Sequence, residues 1–310
     1  MSIASAETWV RVFTDGWRAP AGAEELVNHF RPWLQPDYRF SQPLLRAGVG
    51  VEEFGERFAR PLFALVPDLR VTVQDWAARD GTLFVEVLVE GTLGGRRVAM
   101  PGCDRITLQD GLAAARVSYC NPAPLLRAAR PHTQVVAARC GRAPGRARPG
   151  PSMIPEDALA FVARAELATN SNDAGWPLTE VYAPDVRLEM IGDGVHQVSE
   201  GIAEAGPAVR ALYDWIAAHH GRVTKTLIAT SADTIVNEVE GRLFNGRHTT
   251  TGTEIWRFDE HGKVVHNVIH TALDARPPTH PAAALRALIT HPHVAITYLA
   301  AQLRERRRQR

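Results

Sequence analysis

The chain is poor in cysteine, almost without lysine, and has no long apolar run. Cys103, Cys120 and Cys140 are its only cysteines, too few and too scattered for a disulfide framework or a cysteine-rich zinc site. A reducing cytoplasm is the expected location. Nowhere do the ~18 consecutive apolar residues of a membrane-spanning helix occur, and residues 1–11 include Glu7 and lack the apolar stretch of a secretory signal. No membrane partner is expected. Net charge is lacking too: Lys+Arg 35 against Asp+Glu 34 leaves +1, so no global field draws the protein to nucleic acid. Lys225 and Lys263 are the only lysines, a skew toward arginine that points to no particular ligand.

What is present is the composition of a globular protein, 45% hydrophobic and 22% charged, in 310 residues, a length that suggests two domains. The second half echoes the first. Val89-Glu90-Gly91 returns as Val239-Glu240-Gly241, Pro36-Asp37 as Pro184-Asp185, the turn Gly94-Gly95 as Asn245-Gly246, and Asp110-Gly111 as His261-Gly262. Their common order and near-constant offset suggest two copies of one unit. Between them, residues 137–151 hold four Arg, three Gly and three Pro without apolar periodicity, the composition of an exposed linker.

Apolar spacing predicts helices over 7–17, 23–33 and 51–65, with a short strand over 38–42 between the last two. A meander follows over 69–76, 82–92, 97–108 and 113–121, punctuated by Asp80-Gly81, Gly94-Gly95 and Asp110-Gly111. The second copy predicts helices over 156–169, 175–182 and 208–219, with a strand over 186–191. Its meander spans 223–230, 234–244, 247–259 and 263–273, and tail helices follow over 281–289 and 294–308. Helices followed by long antiparallel strands give an α+β class in which helices cover one face of a bent sheet.

This order resembles the nuclear-transport-factor-2-like superfamily, and within it the SnoaL-like polyketide cyclases and ketosteroid isomerases. The closest segments are Pro67-Asp68-Leu69-Arg70-Val71, Gly91-Thr92 with Gly95-Arg96, Met100-Pro101-Gly102-Cys103-Asp104 and Tyr119-Cys120-Asn121-Pro122. In the second copy, residues 254–264 look like the penultimate hairpin of that superfamily. The resemblance implies two cone-shaped units in tandem, residues 1–130 and 154–275, joined by a linker over 131–153 and followed by a helical tail over 276–310. It implies an intramolecular pseudo-dimer, open to further homodimerisation, with no cofactor. The implied activity is a cyclase or isomerase of secondary metabolism acting on a hydrophobic, polyketide- or terpenoid-like small molecule. Epoxide hydrolysis, ether-forming cyclisation or simple binding are the alternatives.

Such chemistry needs an apolar pocket, a carboxyl group that exchanges a proton with carbon, and a donor for the developing oxyanion. At the ketosteroid isomerase base position the resemblance puts Gln42 and Met190, neither able to take a proton, and at the oxyanion tyrosine it puts Phe13. At the last-strand acid of the cyclases stand Asn121 and Ala272. Asp104 and Glu254 remain, each in the strand before the final hairpin. Asp104 is either a reacting acid or a buried one held by backbone donors or by Arg116. A turn over 259–263 sets Glu254 opposite Ile269, with His270 expected as its diagonal neighbour on the same face, either a catalytic acid–base pair or a structural one. Alternation adds His248 to the face of Glu254 and His266 to that of His270. Catalysis is thus assigned to Glu254, His270 and Asp104, and substrate contact to His248, His266, Tyr119, Asn121 and Trp17. The imidazoles and Glu254 are ligand types suited to a metal, but their spacing matches no metal motif, and no metal is expected.

Overall fold

A computed structural model describes residues 3–42, 47–120, 154–192, 195–246 and 248–273. The expected linker, the tail helices and Asn121 lie outside the described residues. The chain divides into two compact units, whose described parts are 3–120 and 154–273. Among the described residues no helix is long and apolar enough to cross a membrane.

The first unit opens with α1 (Ile3–Trp17) and α2 (Ala23–Phe30), then β1 (Leu34–Ser41) and β2 (Gly48–Val49). The next helical stretch is α3 (Gly50–Glu53), a π-helical segment (Phe54–Ala59) and α4 (Arg60–Leu65). Long strands follow: β3 (Arg70–Arg79), β4 (Thr82–Leu93), β5 (Arg96–Gln109) and β6 (Leu112–Cys120). Their sheet order is β2-β1-β6-β5-β4-β3, antiparallel except where β1 runs parallel to β6. Ala6, Trp9, Phe13 and Trp17 are buried along α1, the one-sided spacing that seats a helix on a sheet.

The second unit runs α5 (Ala158–Asn170), a π-helical segment (Trp176–Val181), β7 (Tyr182–Gly192), β8 (Val195–Glu200) and α6 (Gly201–Ala218). It ends in β9 (Arg222–Thr230), β10 (Thr234–Leu243), β11 (His248–Phe258) and β12 (Val264–Leu273). Its strand order is β8-β7-β12-β11-β10-β9, again with one parallel pair, β7 on β12. Each half is therefore an α+β unit with helices over a sheet.

Three elements depart most from the sequence expectation. The edge strands β2 and β8 are missing from it, and α6 begins seven residues before the expected 208. Gly201, Gly206 and Pro207 read as breakers, yet Pro207 falls in the second turn of the helix, where the carbonyl it leaves unpaired is near the N-terminal end.

Glycine is required where the sheet curls. A Cβ on Gly252 of β11 would lie 1.9 Å from the His270 carbonyl oxygen, and one on Gly192 of β7 would lie 2.3 Å from that of Thr271. Both glycines are paired with Thr271. Close backbone approach along this row, which only glycine permits, lets three strands bend together beneath α6.

Candidate functional site

The bend leaves a cavity of about 210 Å³ in the second unit. Its floor is the inward-facing row of each strand: Val223 and Lys225 from β9, Val239 from β10, Thr250 and Glu254 from β11, Ile269 and Thr271 from β12, and Met190 from β7. Its roof is the face of α6 that carries Val209, Leu212, Tyr213 and Ile216, at the i, i+3, i+4, i+7 spacing of one helix stripe. The lining is mostly aliphatic and aromatic.

Into this apolar space the strands bring one pair of opposite charges. Lys225 Nζ lies 2.6 Å from Glu254 Oε2, and the two side chains are 6% and 5% exposed. Burial, the largest single influence, would lower the lysine's pKa; Glu254 together with Tyr213 and Glu166 outweighs it, so the ammonium is held charged to higher pH than usual. The pair is anchored from several sides. The Lys225 backbone N–H donates to Glu166 Oε2 at 2.7 Å, and its ammonium lies 5.5 Å from the centre of the Trp256 ring. Asn237 Nδ2 reaches Glu254 Oε2 at 3.4 Å, while Trp256 Nε1 donates to Asn237 Oδ1 at 2.8 Å and fixes its amide. Among the described residues both hydrogen bonds to Glu254 end on Oε2, so Oε1 is the oxygen left to serve the cavity.

Two phenols complete the polar end. Tyr182 donates to Asn267 Oδ1 at 2.9 Å and is committed there. Tyr213 lies 3.3 Å from Thr169 Oγ1, whose own proton goes to the Ala165 carbonyl at 2.9 Å. One hydroxyl carries one proton, so Tyr213 is the donor in that long contact and can redirect it to a ligand. Burial raises the pKa of both phenols, Tyr182 most.

The register corrects the expected Glu254–His270 pair. Glu254 does stand opposite Ile269, but His270 is paired with Thr253. Directly opposed residues share a face, so His270 points to the other side of the sheet, away from the cavity. There it is buried, its Nδ1 has no hydrogen-bond partner among the described residues, and burial lowers its pKa to about 4. His266 is on that far face as well. Its Nε2 meets Glu189 Oε1 at 3.1 Å, and Arg257 Nη1 lies 3.0 Å from its Nδ1. Burial lowers the pKa of His266. Glu189 is half-buried, which would raise its pKa, but hydrogen bonds from His196, His266 and Arg187 hold it far below the carboxylate range. His248 starts β11 beside Phe244, with ring centres 5.3 Å apart, and is not part of the cavity wall. Among the described residues no cluster of His, Cys, Asp or Glu is arranged to hold a metal ion.

In the first unit Asp104 does face inward, where Arg116 Nε donates to it at 2.9 Å and Ser118 Oγ at 2.5 Å. The guanidinium lies over Trp17 and Phe58, 5.7 and 5.0 Å from their ring centres. The space beside it is about 20 Å³, room for about one water molecule. Trp17 is thus packed in the core on Phe13, Phe30 and Phe58, at the wall of this small space. Tyr119 is paired with Cys103 and faces away from Asp104. Cys120 is held as a thiol, burial pushing its pKa up to about 12.

Lys225 is the site residue that sequence reasoning passed over. A signal existed: in Val223-Thr224-Lys225-Thr226-Leu227 the lysine holds the inward parity between two apolar residues, where a charge needs a buried partner.

Comparison with known proteins gives one family. Residues 10–116 match the family model of the SnoaL-like domain. No curated protein matches the chain. A structure from Jannaschia provisionally named a SnoaL-like polyketide cyclase is 23% identical, covering 41% of this chain and 93% of its own, at TM-score 0.37. TsrD from Streptomyces laurentii is 21% identical over 42% of this chain and 97% of its own, at TM-score 0.35. An LEH-like epoxide hydrolase from M. tuberculosis is 15% identical over 40% of this chain and 89% of its own, at TM-score 0.33.

Proposed function

With residues 10–116 forming a SnoaL-like domain, we propose that the chain is a tandem of two such units and that the second one is a small-molecule enzyme. It acts on a hydrophobic carbonyl compound by moving a proton on and off carbon, the step that underlies cyclisation and isomerisation. The observation that carries this is the buried Lys225–Glu254 pair at one end of an apolar cavity of about 210 Å³. That space exceeds the ~150 Å³ apolar hole that admits benzene, and suits a fused bicyclic ring.

Glu254 is the base. Paired with Lys225 and shielded from water, the carboxylate uses its free oxygen to take a proton from the carbon next to the substrate carbonyl; the C–H electrons form the new C=C bond and the carbonyl π electrons move to oxygen. Return of the proton elsewhere isomerises the substrate, and attack of the carbanion on a second carbonyl closes a ring. Tyr213 stands where it can donate to the substrate oxygen. The apolar walls strengthen each of these interactions by excluding water.

The test is deuterium exchange at the activated carbon of 2-tetralone in D₂O, followed by NMR. Wild type should accelerate it, and Glu254→Gln should slow it by about 10²–10⁴-fold with an unchanged circular dichroism spectrum. Equal rates for the two proteins would remove Glu254 as base. No acceleration by wild type would remove the reaction class.

A further inference from the structure

We infer that Lys225 is itself a catalytic residue: its ammonium, bonded to Glu254 before reaction, becomes the partner of the substrate's oxyanion once Glu254 has been protonated. This rests on the reading of Glu254 as base. The two charges cancel at the start, and the proton transfer does not change the total. It relocates the negative charge from Oε2 of Glu254 to an oxygen of the substrate and leaves Lys225 facing a neutral acid. An enolate in an apolar cavity without a cation would be heavily penalised, and Lys225 is the cation whose counter-charge has just vanished.

The geometry permits the exchange. An ammonium has three N–H donors, and among the described residues Lys225 Nζ has one hydrogen-bonded acceptor, Glu254 Oε2. Its strand is pinned by the backbone bond to Glu166, so only the flexible end of the side chain needs to turn, and cavity space lies beside it. Arg116 in the first unit shows the contrary arrangement. It is tied to Asp104, has the Tyr38 hydroxyl as a second partner and lies over two rings with about 20 Å³ beside it, so no substrate anion has room to reach its charge.

The inference predicts an anion site that Glu254 normally masks. The probe is 2-naphthol, whose naphtholate has the shape and charge of the bicyclic enolate, with ionisation read from its absorbance. Wild type should bind it in the neutral form. Glu254→Gln should lower the apparent pKa of the bound naphthol by roughly 1–3 units, the size expected for a cation alongside, and Glu254→Gln/Lys225→Met should abolish that shift. A control that needs no second substitution is 2-methoxynaphthalene, which cannot ionise. On Glu254→Gln its affinity should stay level with pH while that of 2-naphthol rises. A bound naphthol that stays neutral in Glu254→Gln, an equal shift in the double variant, or parallel pH behaviour of the two probes would each overturn the role of Lys225. Absence of 2-naphthol binding to wild type would instead overturn the cavity as a small-molecule site, which separates the two failures.

Discussion

The two units set a carboxylate at the same place in their sheets and give it a cation, yet only the second leaves room beside the pair. Asp104 stands between Val85 and Ser118, and Glu254 between Asn237 and Ile269, on strands of the same rank in the same order. The difference lies above the sheet. The first helix of the first unit buries Trp9, Phe13 and Trp17, joined by Phe30, Phe54 and Phe58. The first helix of the second unit buries Val162, Ala165, Ala168 and Thr169. Large rings fill the hollow in one case; in the other the single ring of that helix, Phe161, packs on Trp176, Trp256 and Phe258 outside the cavity wall, and the small side chains beside it leave the hollow open. A buried charge pair alone therefore marks no site; it becomes one where the helix roof is cut back.

The sharpest way to break this comparison is through its glycines. Gly252 and Gly102 hold the same register position, each opposite the closing strand at Thr271 and Cys120. A Cβ at Gly252 would meet backbone oxygen at 1.9 Å, whereas one at Gly102 meets Cys120 Cβ and the Tyr119 oxygen at 3.1 Å. Gly252→Ala should cost more than about 4 kcal/mol, because strands must part. Gly102→Ala should cost about 1–3 kcal/mol, the range of an overpacked site. Urea unfolding of the two variants checks this, and equal losses would show that the closer approach in the second unit does not set its bend.

Next in size is Trp17→Ala. Removing a ring that is 2% exposed should destabilise the protein by about 3–5 kcal/mol, while exchange catalysed by the remaining folded molecules stays at the wild-type rate. A proportionate loss of rate per folded molecule would mean that the filled unit takes part in the chemistry.

Much of this contrast is legible in the sequence, and the parts that are not have physical reasons. Helix and strand order follows from apolar periodicity, and the Glu254–Ile269 register follows from the turn, where Asp259 N–H donates to the Lys263 carbonyl at 2.8 Å. The face of His270 is misjudged because a shift of one residue reverses the side of the sheet: the residue opposite Glu254 shares its face, and the next one cannot. Lys225 is hidden by its type, since lysine on a strand is ordinarily solvated, and only its parity between Val223 and Leu227 betrays it. Cavity volume is a difference between packed side chains from several elements, so no local pattern encodes it. The aromatic spacing of Trp9, Phe13 and Trp17 reads as core, but the consequence of α5 carrying a single ring, Phe161, shows only once the helices are in place.

The smallest expected effect separates the far faces of the two sheets. His270 and Tyr119 hold equivalent positions, paired with Thr253 and Cys103, but only the histidine titrates at mildly acid pH. Burial keeps His270 neutral in the fold, with a pKa of about 4 against the ordinary 6.5, and Glu189, His196 and Arg257 on the same face do not restore it. Its folded pKa is depressed, so the unfolded chain takes up the proton first. The stability it contributes is complete above pH 6.5 and is lost as pH falls from there through about 4. The gap corresponds to about 3 kcal/mol at most. His270→Gln should flatten that part of the stability–pH curve, measured by urea unfolding at a series of pH values. An unchanged slope would mean that the imidazole is already protonated in the folded protein, which would require a carboxylate to reach its Nδ1.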